Sequence, residues 1–522
     1  MTPTLVRFRI LAAVLLATLL PGAAPAQTFP TADPVIRAMW EQGMGSGSQV
    51  EPLAQALMDS IGPRLMGSPA YDAAGDWLIS RYREWGVQAE KRPYGTWTGW
   101  ERGITHVDLL APRVRSLQAM MLAWSPGTDG PVEGEVVDIP ASVASGADLE
   151  RWLPEVRGKF VLLTFPEPTC RPDESWEEWA TEASFATMRA GRDSARTAFA
   201  VRMRGLGADL PARLEAAGAA GVLTNRWSAG WGADKIFSSL TERVPSLHVS
   251  CEDYTLLYRM AERDQAPRIR VDAQARSLGD VPAFNVVATI PGRELPNEYV
   301  LLSAHLDSWD GASGATDNGT GTIMMLEAMR ILKATYPNPR RTLLVGHWGG
   351  EEQGLVGSGA FAADHPDVVG NLQAAFNQDN GTWRIDFIRM QGFTGAGAHF
   401  GRWLSAVPDE ITEHIELDIP GVPETGGSDH MSFICVPAAG FRLQSSYPDY
   451  RQYTWHTNLD TYDKVVFDDL RNNATLAAML AYQASEDPER VPVDQRVLPT
   501  DERTGRPGTW PQCRPPRRSA GG

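Results

Sequence analysis

The chain has 522 residues, 43% of them hydrophobic and 21% charged, a balance that describes a globular protein and excludes a disordered one. That length exceeds one ordinary core, so one large domain with an insertion, or two to three domains, is expected. The 64 acidic against 48 basic residues give a net charge of -16, and with no basic stripe this argues against nucleic acid as a partner.

At the N-terminus, Arg7 and Arg9 precede the apolar run ILAAVLLATLL and the small-residue site Ala24-Pro25-Ala26. This is the layout of a secretory signal peptide over residues 1–26, too short for a comfortable membrane span. No later segment reaches about 18 uninterrupted apolar residues, so a secreted or periplasmic protein without a membrane span is expected once the signal is removed. Next, Leu53, Leu57 and Ile61, then Trp77 to Ile79 with Tyr82 and Trp85, recur at helical spacing around a Gly/Pro-rich break at 62–69.

The texture then changes. GPVEGEVVDIP, GKFVLLTF, AAGVLTN and VPSLHVS are short β-rich runs bounded by Gly and Pro, and the Ala, Arg and Glu-rich stretch 174–217 between them predicts helix. Residues 125–275 read as a module inserted into a larger domain made of 27–124 and 276–487. From about 280, AFNVVATI, EYVLLSAH, RTLLVGHW, AAFNQDN and AAGFRLQ predict strands, with GTGTIMMLEAMRILKAT as a helix between two of them. The fold class is α/β, a mixed sheet flanked by helices. Residues 488–522, rich in Pro and Arg, read as a tail with little to bury. Cys170, Cys251, Cys435 and Cys513 form no CxxC knot and permit one or two disulfides without fixing the pairing; free thiols are equally compatible.

Three predicted strands end on ligand-type side chains: His305 and Asp307, then Glu351 and Glu352, then Asp379. Sites in an open α/β sheet form beyond the carboxyl ends of strands, so these residues should converge. Asp317 in GATDNGTG and His456 in YTWHTNLDTYDKV add two more from loops. Two imidazoles and three carboxylates exceed what a single tetrahedral zinc needs and suit two Zn2+ ions per chain. In this assignment Asp317 bridges, His305 and Asp379 complete one ion, and Glu352 and His456 complete the other. Glu351 remains as general base, and Asp307 as the partner that orients His305.

HLDSW, TDNGTG, EEQGLVGS, NQDNGT, GGSDHMSF and WHTNLDTYDKV resemble, in this order, the motifs of the zinc exopeptidases that include dizinc leucyl aminopeptidases and carboxypeptidase Q. The resemblance covers roughly 45–485. It implies a phosphorylase/hydrolase-like catalytic domain, the five ligands and the base named above, and a protease-associated domain for the inserted module. Asn318 stands where many relatives carry a second aspartate, which concerns local hydrogen bonding rather than the metals.

The implied activity is hydrolysis of short peptides, by removal of an N-terminal residue or by cleavage of dipeptides in the manner of carboxypeptidase Q; length and HLDSW favour the second. Both modes need recognition of a free amine, and a homodimer is left open. The rivals are a metal-free receptor-like member and a glutaminyl-cyclase-like transferase of the same fold. Ser428, Asp429 and His430 are read equally as pocket lining or as a turn and cap. His347 is set aside as a core residue, and packing is preferred for Trp97, Trp100, Trp227 and Trp231.

Overall fold

The computed structural model describes residues 33–446, 448–500 and 504–521; the signal-peptide segment 1–26 lies outside them. The first two predicted helices form. Val50–Gln55 continues into a wider-wound turn, Ala56–Ile61, and Gly62 breaks it. Pro69–Glu84 then starts where the Ser68 hydroxyl accepts from the Tyr71 amide at 3.1 Å.

The strands are β1 (Gln88–Ala111), β2 (Arg115–Ser116), β3 (Ala119–Met121), β4 (Val132–Val137), β5 (Phe160–Leu162), β6 (Gly221–Thr224) and β7 (Ser246–Val249). They continue with β8 (Arg268–Ile290), β9 (Leu295–His305), β10 (Arg341–Trp348), β11 (Leu372–Gln378), β12 (Phe387–Arg389), β13 (Glu416–Asp418) and β14 (Gly440–Gln444). One hydrogen-bonded path runs β13-β12-β14-β11-β9-β10-β8-β4-β5-β6-β7-β3. Around the centre, β9, β10, β11 and β14 are parallel, whereas β8 runs antiparallel to β10. Every residue of β10 and β11 is buried, as strands covered on both faces require.

The core between this sheet and the helices Pro34–Gly43, Pro69–Glu84, Thr320–Thr335 and Phe467–Glu486 is the largest of the molecule. A smaller cluster around Trp348, Phe361 and Phe433 fills the opposite face. Mixed-sheet architecture therefore holds as read.

Two features were not anticipated. β1 and β8 pair along almost their whole lengths, from Gln88 with Thr289 to Ala111 with Arg268. The far end of β8 also pairs with β4, so this ribbon feeds both halves of the sheet and residue 275 falls inside it. Gly, Thr and charged residues alternate with few aliphatics over 95–106, which hid a strand this long. Beyond it, β4 to β7 are parallel and helices fill the β4–β5 and β5–β6 connections, of which Glu182–Leu206 spans 25 residues, so the segment is an α/β layer rather than a β-rich one.

The tail corrects the expectation of a segment with little to bury. Cys513 is joined to Cys435, as Cys170 is to Cys251. Val491 is buried, Trp510 packs on Phe393 at 5.7 Å between ring centres, and the Thr96 amide donates to the Arg518 carbonyl at 2.9 Å. Arg518 pairs with Asp364, and Arg517 donates to the Gln353 carbonyl at 3.0 Å. Docking here uses a crosslink, one aromatic ring, an ion pair and hydrogen bonds to main-chain carbonyls, none of which hydrophobic content reveals.

Candidate active site

The carboxyl ends of β9, β10 and β11 meet in one pocket. β9 ends at His305, which is fully buried. β10 ends at Trp348, and Gly349 and Gly350 turn the chain so that both glutamates enter the pocket. A β-carbon on Gly349 would stand 2.0 Å from the Tyr71 hydroxyl, and Gly350 has a φ of +75°. Asn285 accepts from the Gly349 amide at 3.1 Å and donates to the Gly357 carbonyl at 2.9 Å, fixing both sides of the turn.

All seven residues singled out for chemistry converge. His305 Nε2 lies 3.2 Å from Asp379 Oδ1 and 3.3 Å from Asp317 Oδ1. The other Asp317 oxygen is 3.2 Å from His456 Nε2, which is 2.8 Å from Glu352 Oε2. Ligand-type atoms of His305, Glu351 and Asp379 lie within 4.8 Å of one another, and so do those of Asp317, Glu352 and His456. Glu351 thus faces one histidine and Glu352 the other.

Asp307 plays a different part from the expected one. His305 Nδ1 is 2.9 Å from the Asp307 main-chain carbonyl and 3.6 Å from its carboxylate. The carboxylate instead accepts the amides of Glu351 at 3.1 Å and Glu352 at 3.3 Å, tying the end of β9 to the glutamate turn. Asn318 supplies the local hydrogen bonds where relatives carry aspartate, donating to the Gln378 carbonyl at 2.8 Å and accepting from the Gly321 amide at 3.0 Å.

Two residues escaped the sequence reading. Arg64, wholly buried in the 62–69 break, donates to the carbonyls of Gly62, Leu306, Ser313 and Gly314 at 2.7 to 3.1 Å, clasping the loops that carry His305 and Asp317. Asp460 accepts the amides of Thr316 at 2.8 Å and Asp317 at 3.1 Å. Both act on main-chain atoms, which leave no side-chain pattern to read. HTNLD, which carries Asp460, was the one available signal.

Charge in this pocket is unbalanced. Burial pushes the Glu351 carboxyl well above its ordinary value and Glu352 up to about 7, with Asp317 adding to the latter. Burial would lower His456, but Glu352 and Asp317 outweigh it and raise it to about 9. For Asp317, hydrogen bonds to His305 and His456 overcome burial and hold the carboxyl below its usual range. Burial lifts Asp460 to about 7. The buried guanidinium of Arg64 gives its N–H groups to carbonyls, so it neutralises none of these carboxylates by direct pairing.

Glu352 Oε1 and His456 Nδ1 are buried without a hydrogen-bond partner among the described residues. Orphaned acceptors in a carboxylate-rich pocket cost free energy unless a cation meets them. Two imidazoles with carboxylate oxygens form a mixed nitrogen and oxygen donor set of the kind that suits zinc.

Residues 285–481 match the profile of Peptidase family M28. Carboxypeptidase Q of Mus musculus is 26% identical over 442 residues, covering 84% of this chain and 85% of the relative. The solved structure of a Peptidase M28 precursor from Shewanella amazonensis SB2B superposes with a TM-score of 0.63 at 22% identity, covering 88% of this chain and 98% of its own. BSAP, a zinc aminopeptidase from Bacillus subtilis, gives a TM-score of 0.54 at 17% identity, covering 85% of this chain and 96% of its own. These two structures share the fold. With the M28 match and the ligand-type clusters, the chain is a metallopeptidase.

The remaining candidates divide. Ser428, Asp429 and His430 are fully buried; Ser428 accepts from Asn377 at 2.9 Å and His430 contacts Glu424 at 2.8 Å, so they buttress the end of β11. His347 is a core residue as expected, 2.7 Å from the Tyr82 hydroxyl and pushed down to about 3 by burial. Trp97 and Trp100 are buried, Trp227 donates to the Gly230 carbonyl at 2.7 Å, and Trp231 is 52% exposed. One further contributor comes from the inserted segment: Phe237 stands edge-on to His456 at 5.3 Å between ring centres.

Proposed function

We propose that this peptidase is a secreted dizinc exopeptidase that hydrolyses short peptides, with Glu351 as general base. The observation that carries this reading is Asp317, which turns one carboxylate oxygen to each histidine, 3.3 Å from His305 and 3.2 Å from His456. One bridging carboxylate with two flanking ligand pairs is the donor arrangement of a two-metal site. His305 with Asp379 would hold one ion and Glu352 with His456 the other, Asp317 serving both. Zinc, when bound, polarises the scissile carbonyl and lowers the pKa of water.

The chain's own residues supply the rest. Glu351 sits with His305 and Asp379, outside the Glu352 and His456 pair, and is free to take a proton from the attacking water and return it to the departing nitrogen. The Glu351 amide donates to Asp307, which fixes the backbone from which that carboxylate projects. Two disulfides support an oxidising compartment, in keeping with the leader-like segment 1–26. The complete donor set weighs against a metal-free receptor, and a set sufficient for two ions weighs against a single-zinc transferase.

The test is zinc content by mass spectrometry together with hydrolysis of a panel of dipeptides and short peptides. About two zinc ions per chain, with hydrolysis abolished by a chelator and restored by zinc, is the expected result. A single ion at saturation overturns the dizinc reading.

A further inference from the structure

On the aromatic wall beside His456 the charge changes sign. Lys235 Nζ lies 4.3 Å from the centre of the Trp455 ring, the Arg451 guanidinium 4.3 Å from the same centre, and the Arg226 guanidinium 4.9 Å from the centre of the Phe237 ring. Trp455 stacks on His456 at 4.0 Å between ring centres, and Phe237 meets it at 5.3 Å. Each cation therefore stands one ring away from the imidazole.

Among the described residues none of the three is in a salt bridge, and none donates a side-chain hydrogen bond. Burial and the nearby Arg451 charge lower the Lys235 ammonium, and burial lowers Arg226. Ring faces hold the cations in place without using their N–H groups, and two like charges over one ring repel until an anion joins them. Their carrier loops are joined rigidly: the Ile236 amide donates to the His456 carbonyl at 3.0 Å, and the Asp234 amide to Asn458 Oδ1 at 2.8 Å.

We propose that Arg226, Lys235 and Arg451 bind the free carboxylate carried by the leaving half of the substrate, so that cleavage falls one to a few residues from a peptide's C-terminus. This rests on the hydrolase reading above and names its substrate class. Cation–π packing alone would leave the same geometry but give no preference between a carboxylate and an amide.

The experiment compares a dipeptide and a tripeptide as free acids and as C-terminal amides. Wild-type kcat/KM should favour the acids by about tenfold or more, expressed in KM, as expected for charge-assisted hydrogen bonds. In Lys235→Met with Arg451→Met the ratio of acid to amide should fall towards one, whereas Lys235→Arg should retain it. Calorimetry on zinc-loaded Glu351→Gln, which reads binding without turnover, should show the same preference. A wild-type ratio near one, or a ratio unchanged in the double variant, overturns the subsite. Absence of hydrolysis of acids and amides alike would instead remove the peptidase mechanism, and the calorimetric preference would still decide the subsite.

Discussion

At its amino end β10 begins with Arg341, 1% exposed, which donates to Glu298 at 2.7 Å and to the carbonyls of Ser485 and Asp487 at 2.9 and 2.6 Å; past its carboxyl end come Glu351 and Glu352, which crowd with Asp317 and Asp379 around only two imidazoles, His305 and His456. Nearby, Glu327 and Arg330 bury charge in the first manner, in a paired contact at 2.7 Å with the Gln49 amide donating to Glu327 at 2.9 Å. One end of the sheet answers each buried charge with a partner from the chain. The other gathers four carboxylates around two imidazoles and leaves Glu352 Oε1 without a hydrogen-bond partner among the described residues. Similar burial with opposite satisfaction separates charges that hold the fold from charges kept for a cation.

The largest effect that would sharpen this contrast is catalytic. Glu351→Gln should lower kcat by about 10²–10⁴-fold with zinc content and thermal unfolding nearly unchanged, as steady-state kinetics and calorimetry would show. Full activity in that variant would return Glu351 to the structural group. At the other end Arg341→Met should do the reverse, costing about 3 kcal/mol of stability in denaturant unfolding while the folded fraction retains wild-type kcat. Loss of kcat there would collapse the distinction.

Smaller tests follow. Replacing Cys435 and Cys513 together by Ser should cost about 2 kcal/mol, because the crosslink then no longer restrains the unfolded chain. Weakest in size is a pH effect on zinc-free protein. Glu352 and Asp460 titrate near 7 when folded but near the ordinary carboxyl values of 4.5 and 3.8 when unfolded, so the folded state binds more protons between those limits. Stability should fall as pH rises through this window, and zinc should flatten the profile. A flat profile without zinc would mean that the carboxylates at this pole are already balanced.

Much of this pole was legible in the sequence. His305, Glu351 and Asp379 follow apolar runs short enough to be strands, and the topology of parallel strands brings such ends together. Arg64 and Arg341 were not legible, since both are satisfied by carbonyls whose positions depend on distant loops. Asp307 was read correctly as a member of the site, but its carboxylate serves the glutamate turn instead of facing the imidazole squarely. Phe237 and the tail share one reason for being missed: contacts between segments far apart in the chain carry no periodic signal.

The ribbon of β1 and β8 carries a mechanical consequence. A paired ribbon resists shear in its own plane, because sliding would break its ladder of main-chain bonds all at once. Its register slips at four places, Pro93/Gly95, Gly99/Trp100, Arg102/Thr105 and Leu109/Ala111, where the extra residues loosen the ladder. Torsion at those four points is the compliant movement left to it, so the ribbon would yield by twisting like a torsion bar and not by sliding.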